Sequence, residues 1–171
     1  MARQLWLLRH AEAEPHGARE DSERRLTERG EGQARTAGSA LALMGVEFEA
    51  ILFSPKTRAR QTAELAVEGM GEDARALMAV HPPLAGGFDA AQAIDAMAGI
   101  TADGRILLVG HEPDLSSVVG ELSGGRVELK KGGLAVVRLH GASGELAVLL
   151  RPGELALIAD GGGGGLPIHG D

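Results

Sequence analysis

Short apolar runs alternate along this chain with stretches whose apolar positions recur at helical spacing. Gln4 to Leu8 is a strand of the kind buried on both faces of a sheet, and the polar stretch Glu12 to Arg25, broken by Pro15 and Gly17, is a loop. Thr27 can cap a helix over Glu28 to Met44, with Ala34, Ala37, Leu41 and Met44 on its inner side and Gly45 beyond its end. Glu49 to Phe53 is a second strand. Ser54-Pro55 starts a helix that continues over Thr57 to Glu68 and stops near Gly69. A third strand over Ala76 to Val80 closes at Pro82-Pro83, and a short helix follows over Ala90 to Ala98. Arg105 to Val109 is a strand, and Asp114 to Leu122 is a helix introduced by Pro113. The pattern then changes. Gly133 to Leu139 and Glu145 to Leu150 flank Gly141-Ala142-Ser143-Gly144, which reads as a hairpin, and Glu154 to Ala159 adds one more short strand.

Strands that alternate with helices and end in a hairpin predict a three-layer α/β/α sandwich with a mostly parallel central sheet and an antiparallel C-terminal hairpin. Residues 1–160 are expected to form a single domain, and the Gly-rich residues 161–171 a flexible tail.

Composition narrows the possible partners. The chain has 171 residues, enough for one sizeable core, but only 2% are aromatic and none is Tyr. The core must rest on Leu, Val, Ala and Ile, and platforms for stacking nucleic-acid bases are lacking. A net charge of -7 argues against a binder of nucleic acid or anionic membranes. No apolar run approaches the ~20 residues of a membrane span, and the N-terminus lacks the order of a signal peptide, so a cytoplasmic protein is expected. Without Cys, disulfides and thiol catalysis are excluded.

The chemistry lies where three of the strands stop. Their ends read Arg9-His10-Ala11-Glu12, Ser54-Pro55-Lys56-Thr57-Arg58 and Gly110-His111-Glu112-Pro113. In a parallel sheet covered by helices, ligands sit outside the carboxyl ends of the strands, so this arrangement brings two histidines and two arginines to one crevice. A phosphoryl group in transfer needs fixed cations around its equatorial oxygens and an in-line nucleophile. Arginine forks suit the first need, and a neutral imidazole suits the second. Either histidine alone would be an ordinary strand-end residue; the conjunction is what points to phosphoryl chemistry. No histidine has metal-ligand spacing with another or with an acid cluster, so neither metal nor cofactor is expected. His16, His81, His140 and His169 are read as exposed or structural, and Arg60 as a solvated helix residue.

These segments resemble the histidine phosphatase superfamily, which includes the phosphoglycerate mutases. Its Arg-His-Gly or Arg-His-Ala signature is Arg9-His10-Ala11 here. With Arg24-Arg25-Leu26-Thr27-Glu28-Arg29-Gly30, Ser54 to Thr62 and Val109 to Pro113, the chain is most similar to SixA-type phosphohistidine phosphatases. The resemblance runs from residue 4 to about residue 150. It implies a metal-independent phosphatase in which His10 is the phosphorylated nucleophile and Arg9, Arg58 and His111 complete the pocket, which works best if His111 is protonated. Arg24, Glu12 and Asp89 are the candidates for substrate binding, although Arg-Arg-Leu-Thr replaces the family's Arg-Pro-Leu-Thr, so Arg24 and Arg25 could exchange roles. The implied substrate is a protein bearing phosphohistidine. A small phosphorylated molecule and a catalytically silent phospholigand-binding module are the alternatives, and a mutase is disfavoured because the chain lacks the length for a cover over the site. Many members place a Glu after the third strand to protonate the departing alkoxide. The matching stretch, Pro82 to Asp89, has only Asp89, which could equally cap the following helix.

Overall fold

Six strands form one sheet in the order β3-β2-β4-β1-β5-β6 in a computed structural model that describes residues 2–161. The strands are β1 (Gln4–Arg9), β2 (Ala50–Phe53), β3 (Met78–Val80), β4 (Arg105–Gly110), β5 (Leu134–His140) and β6 (Ser143–Leu150). The helices are α1 (Glu28–Leu43), α2 (Thr57–Met70), α3 (Glu72–Ala76), α4 (Ala90–Ala96), α5 (Asp114–Ser123) and α6 (Pro152–Ala159). β1, β2, β3 and β4 pair in parallel, whereas β5 pairs antiparallel with both β1 and β6. The chain is thus an α/β protein with a mixed, mostly parallel sheet and a C-terminal hairpin. The expected tail lies, from residue 162 onward, outside the described residues.

Alternate residues of the central strands separate into two cores, as the period of two in a strand requires. Trp6, Leu8, Ile51, Phe53, Leu107, Val109, Leu134 and Val136 meet α1, α2 and α6 through Ala37, Leu41, Ala63, Val67 and Leu155. Leu5, Leu7, Ile106, Leu108, Ala135 and Val137 meet α4 and α5 through Ala93, Leu115, Val118, Val119 and Leu122. The continuous apolar reading of β1 and β4 follows from burial on both faces. Trp6, packed edge-on to Phe48 with ring centroids 5.6 Å apart, supplies much of the aromatic bulk on its side.

With few aromatics to fill space, the helices come close. Gly38 of α1 lies against the backbone of Ala66 in α2, where a Cβ would collide with the Ala66 carbonyl oxygen. Gly30, at the start of α1, meets the Glu12 backbone in the same way. The Thr27 hydroxyl caps α1 by accepting from the Gly30 amide at 3.1 Å, so the Leu-Thr-x-x-Gly segment holds the helix start against the end of β1.

Three elements differ from the sequence reading. Glu154 to Ala159 is not a strand but part of α6. Pro152 stands in its first turn, the Glu154 carboxylate accepts from the Arg151 amide and guanidinium, and Leu155 is buried with Ala37 and Leu41. A short apolar run carries no helix–strand distinction by itself, and here the flanking polar residues decide. α3 falls partly where the third strand was expected, which shortens β3 to Met78–Val80. α2 begins at Thr57, because Ser54-Pro55 is used to leave the sheet.

The close crossing gives a direct test. Gly38→Ala is expected to destabilise the fold by about 1–3 kcal/mol, the usual cost of overpacking against rigid backbone. Thermal or urea unfolding measures it, and Gly32→Ala, on an open stretch of the same helix, should not be destabilising.

Candidate active site

The three strand ends are level. Leu8 and Phe53 are both partnered to Val109, and Arg9 is partnered to Gly110, so each chain leaves the sheet at the same height. Two amides extend the ladder beyond the strands: His10 donates to the Gly110 carbonyl and Ser54 to that of Val109, each at 3.0 Å. His10, Ser54 and His111 therefore start from one ridge. α2 follows Ser54 closely, and its first turn brings Arg58 over that ridge.

The buried polar and charged side chains among the described residues are His10, Arg24, Ser54, Arg58, Thr62 and His111. All six line this site or brace it. Burying a polar group is costly unless it is paired, so their gathering in one place marks a built site. Arg9, His10, Glu14, His16, Arg24, Arg58, His111, Glu112 and Lys131 contribute to the lining of a cavity of about 210 Å³.

All but two of the buried side-chain nitrogens and oxygens of the site have a defined partner. His10 Nδ1–H donates to the Ala11 carbonyl at 2.8 Å, which leaves Nε2 as the unprotonated nitrogen. Arg58 Nε points at that Nε2 from 3.4 Å. Thr62 Oγ1 accepts from the Ala11 amide and donates to the Arg58 carbonyl, tying the end of β1 to α2. His111 stands with its ring centroid 5.3 Å from that of His10. Ser54 Oγ accepts from the Lys56 amide at 3.2 Å and lies 2.7 Å from His111 Nε2. Donation by Ser54 to Nε2 puts the proton of neutral His111 on Nδ1, which is buried and has no protein partner. Arg9 anchors Nη1 on the Leu129 carbonyl at 2.8 Å, while its buried Nε is likewise unpaired. These two orphan atoms are what an oxyanion site requires.

Burial pushes both imidazoles below their ordinary value of 6.5, each to about 3. Next in lowering His10 come Arg58, Arg9 and Arg24, and in lowering His111, His10, Arg58 and Lys56. In the free pocket a proton on His111 is disfavoured, because it would sit among cations in a desolvated site.

The remaining candidates separate. Of the two arginines left as alternatives by the sequence, Arg24 is buried and lines the cavity, whereas Arg25 is exposed. Glu12 is turned away from the cavity, and its carboxylate accepts from Thr27 Oγ1 and Arg29. Asp89 also lies outside the lining: exposed, it caps α4 by accepting from the Gln92 amide at 2.9 Å, with the Gln92 side chain answering its own amide. In the free protein the carboxylates of Glu12 and Asp89 are thus held by these intramolecular partners, outside the cavity lining. His81 packs edge-on to Phe88, and Arg60 lies over the Phe53 ring.

Sequence reasoning missed Ser54 as a histidine partner, Thr62 as a brace, and above all Asp21. Asp21 lies in a 3-10 turn, Asp21–Glu23, within the polar loop, and contacts Arg24, Arg58 and Lys56. Its neighbourhood of three cations is a property of the fold; in sequence it is one acid among several. Among the described residues, no group of three or more His, Cys, Asp or Glu side chains is placed to hold a metal, and no helix is long and apolar enough to cross a membrane. A hollow of about 700 Å³ at the amino ends of β1 and β4 is lined by Arg3, Arg105 and Arg138, which already bond Met97, Gln4 and Glu145.

Comparison with known proteins agrees with this geometry. A family profile described as the histidine phosphatase superfamily (branch 1) matches residues 5–80. An uncharacterized protein of Picosynechococcus is 32% identical over 146 residues, covering 79% of this chain and 84% of that protein. The structure of the protein histidine phosphatase SixA complexed with tungstate superposes with a TM-score of 0.79 at 27% identity, covering 89% of this chain and 99% of SixA. The alpha-ribazole phosphatase of Shigella flexneri, at 21% identity and a TM-score of 0.64, covers 87% of this chain and 96% of its own, and shares the fold. The chain belongs to the histidine phosphatase superfamily. It is a phosphatase of SixA-like architecture.

The depressed histidines imply an acid sensitivity. Unfolding returns each imidazole to its ordinary value, so the unfolded chain binds more protons between pH 6.5 and about 3, and stability falls as pH drops through that window. His81, also lowered by burial, acts in the same direction. From pH 6.5 to about 4.5, above most carboxylate titration, Tm should decline. The double variant His10→Asn/His111→Asn should remove most of that slope.

Proposed function

We propose that this phosphatase works through a phosphohistidine intermediate on His10 and acts on phosphohistidine carried by a protein. The observation that carries the mechanism is the His10 Nδ1 bond to the Ala11 carbonyl, which aims an unprotonated Nε2 into a cavity walled by Arg9, Arg24, Arg58 and His111. Nε2 attacks phosphorus while the bond to the leaving group breaks and its electron pair departs with that group. Charge on the equatorial oxygens falls to the arginines and to His111 Nδ1–H. A dianionic phosphoryl group supplies the negative neighbour that the free pocket lacks, so its arrival raises the proton affinity of His111. Water then attacks phosphorus. The P–Nε2 bond breaks, its electron pair returns to His10, and the water proton leaves with phosphate or the surrounding solvent. SixA has been solved with tungstate, a tetrahedral oxyanion like phosphate, which supports a phosphoryl occupant for the matching cavity here.

The substrate reading rests on the carboxylates around the pocket. Glu14 is bound by Arg19, Glu112 by the amide and hydroxyl of Ser116, and Asp21 by three cations that hold its carboxyl well below the usual range. Asp89, the positional match to a general acid, is spent on α4. An alkoxide leaves badly without a proton. Phosphohistidine already protonated on its other ring nitrogen leaves as neutral imidazole, with no proton required from the protein.

His10→Ala should abolish turnover and remove an acid-labile, base-stable phosphoenzyme that rapid quench detects in the wild type. Trapping the phosphoryl group on another residue would overturn the mechanism, and an intact wild type that never turns over an aryl phosphate would leave only a binding module. For the substrate, kcat/KM should be at least about 100-fold higher for a phosphohistidine peptide than for a phosphoserine peptide, the scale of one general-acid contribution. Asp89→Ala should leave that ratio unchanged while lowering stability by about 1 kcal/mol through the lost cap. Equal efficiency on both peptides would refute the substrate assignment.

A further inference from the structure

Arg24 and Arg58 are the pocket's most deeply placed guanidinium groups, yet every one of their nitrogens already has a protein partner. Arg24 directs Nε and Nη2 to Asp21 Oδ1, at 3.1 and 3.0 Å, and Nη1 to the Glu14 carbonyl at 2.7 Å. Arg58 directs Nη1 to the Asp21 carbonyl at 2.7 Å, Nη2 to Asp21 Oδ2 at 3.4 Å, and Nε to His10 Nε2. Lys56 Nζ also lies 3.2 Å from Asp21 Oδ2. One carboxylate thus binds three cations, two of which, Arg24 and Arg58, line the nucleophile's cavity.

We propose that Asp21 is an internal counter-ion that competes with the phosphoryl group for Arg24 and Arg58, so that the pocket releases orthophosphate after each turnover. Without it, Arg24 and Arg58 would present their charges to the product dianion without the carboxylate that now shares them, while Glu112 and Glu128 stay near Arg9. Charge-assisted arginine bonds to phosphate are strong, and a pocket built only from them becomes a trap. Uniform tightening of this kind lowers KM without raising kcat, and it slows a cycle that ends in product release. Asp21 also keeps the two arginines in place between turnovers, since its main-chain oxygen and its carboxylate grip Arg58 together. It acts through those arginines and is a positioning residue; held ionised by its cations, it has no proton to give.

This inference rests on the reading of the cavity as a phosphoryl site, and the test separates the two. Inorganic phosphate is titrated by calorimetry into wild type, Asp21→Asn, Asp21→Ser and Asp21→Glu, and the same proteins are assayed on an aryl phosphate. Both neutral variants should bind phosphate about tenfold more tightly, the worth of one charge-assisted contact, with KM and kcat falling together. Asp21→Glu, which keeps the charge, should stay close to wild type. A purely structural role would instead weaken phosphate binding and raise KM. Unchanged or weaker phosphate binding in the neutral variants, with the wild type binding normally, overturns the counter-ion role alone. A wild type that binds no phosphate at millimolar concentration overturns the phosphoryl reading and the counter-ion role with it.

Discussion

The short bond from His10 Nδ1 to the carbonyl of the next residue is the constraint on which the pocket depends. It fixes the tautomer and the ring orientation with a backbone group, so the free nitrogen has one identity and one direction. The backbone can offer that carbonyl because His10 leaves the sheet still hydrogen-bonded to Gly110 and Ala11 is held by Thr62. Two rigid elements, the parallel ladder and α2, therefore meet in a single imidazole. A histidine on a free loop would have neither the tautomer nor the aim.

Electrostatics in the pocket follow from that packing. Burial of the two imidazoles beside three arginines favours their neutral forms, which preserves a nucleophile that ordinary solvation would partly protonate near neutral pH. Neutrality of His10 and a field favourable to anions are usually in conflict, because both respond to nearby charge. Here they share a cause: cations repel the proton and attract the phosphoryl oxygens. Low solvation strengthens both effects.

The sheet and the strand-end residues were legible because they are written locally. β1 and β4 are apolar runs that stop at Arg9-His10 and Gly110-His111, and the rule that ligands bind beyond parallel strand ends needs no further information. α6 was misread because Leu155 to Ile158 is too short to show a period, and its helical character is carried by Pro152 and Glu154 outside the apolar positions. Glu12 and Asp89 have the right residue type and a plausible place in the chain, but side-chain direction is not written in the sequence: one turns to Thr27 and Arg29, the other to Gln92. Asp21 is the converse. Nothing in Glu20-Asp21-Ser22-Glu23 distinguishes it, since its contacts with Arg58 and Lys56 span more than thirty residues and exist only once α2 has docked.

Trp6 gives this molecule an optical address. It is the only Trp in a chain without Tyr, it is buried against Phe48, and it lies on the strand that ends in Arg9-His10. Nearly all intrinsic emission therefore originates from one ring whose surroundings are β1 and the helices packed on it. A shift in that emission when an oxyanion is added reports on β1 and its packing, and loss of the native spectrum on denaturation reports on the centre of the sheet. Most proteins blur such signals over several fluorophores; here the strand that carries the nucleophile comes with its own probe.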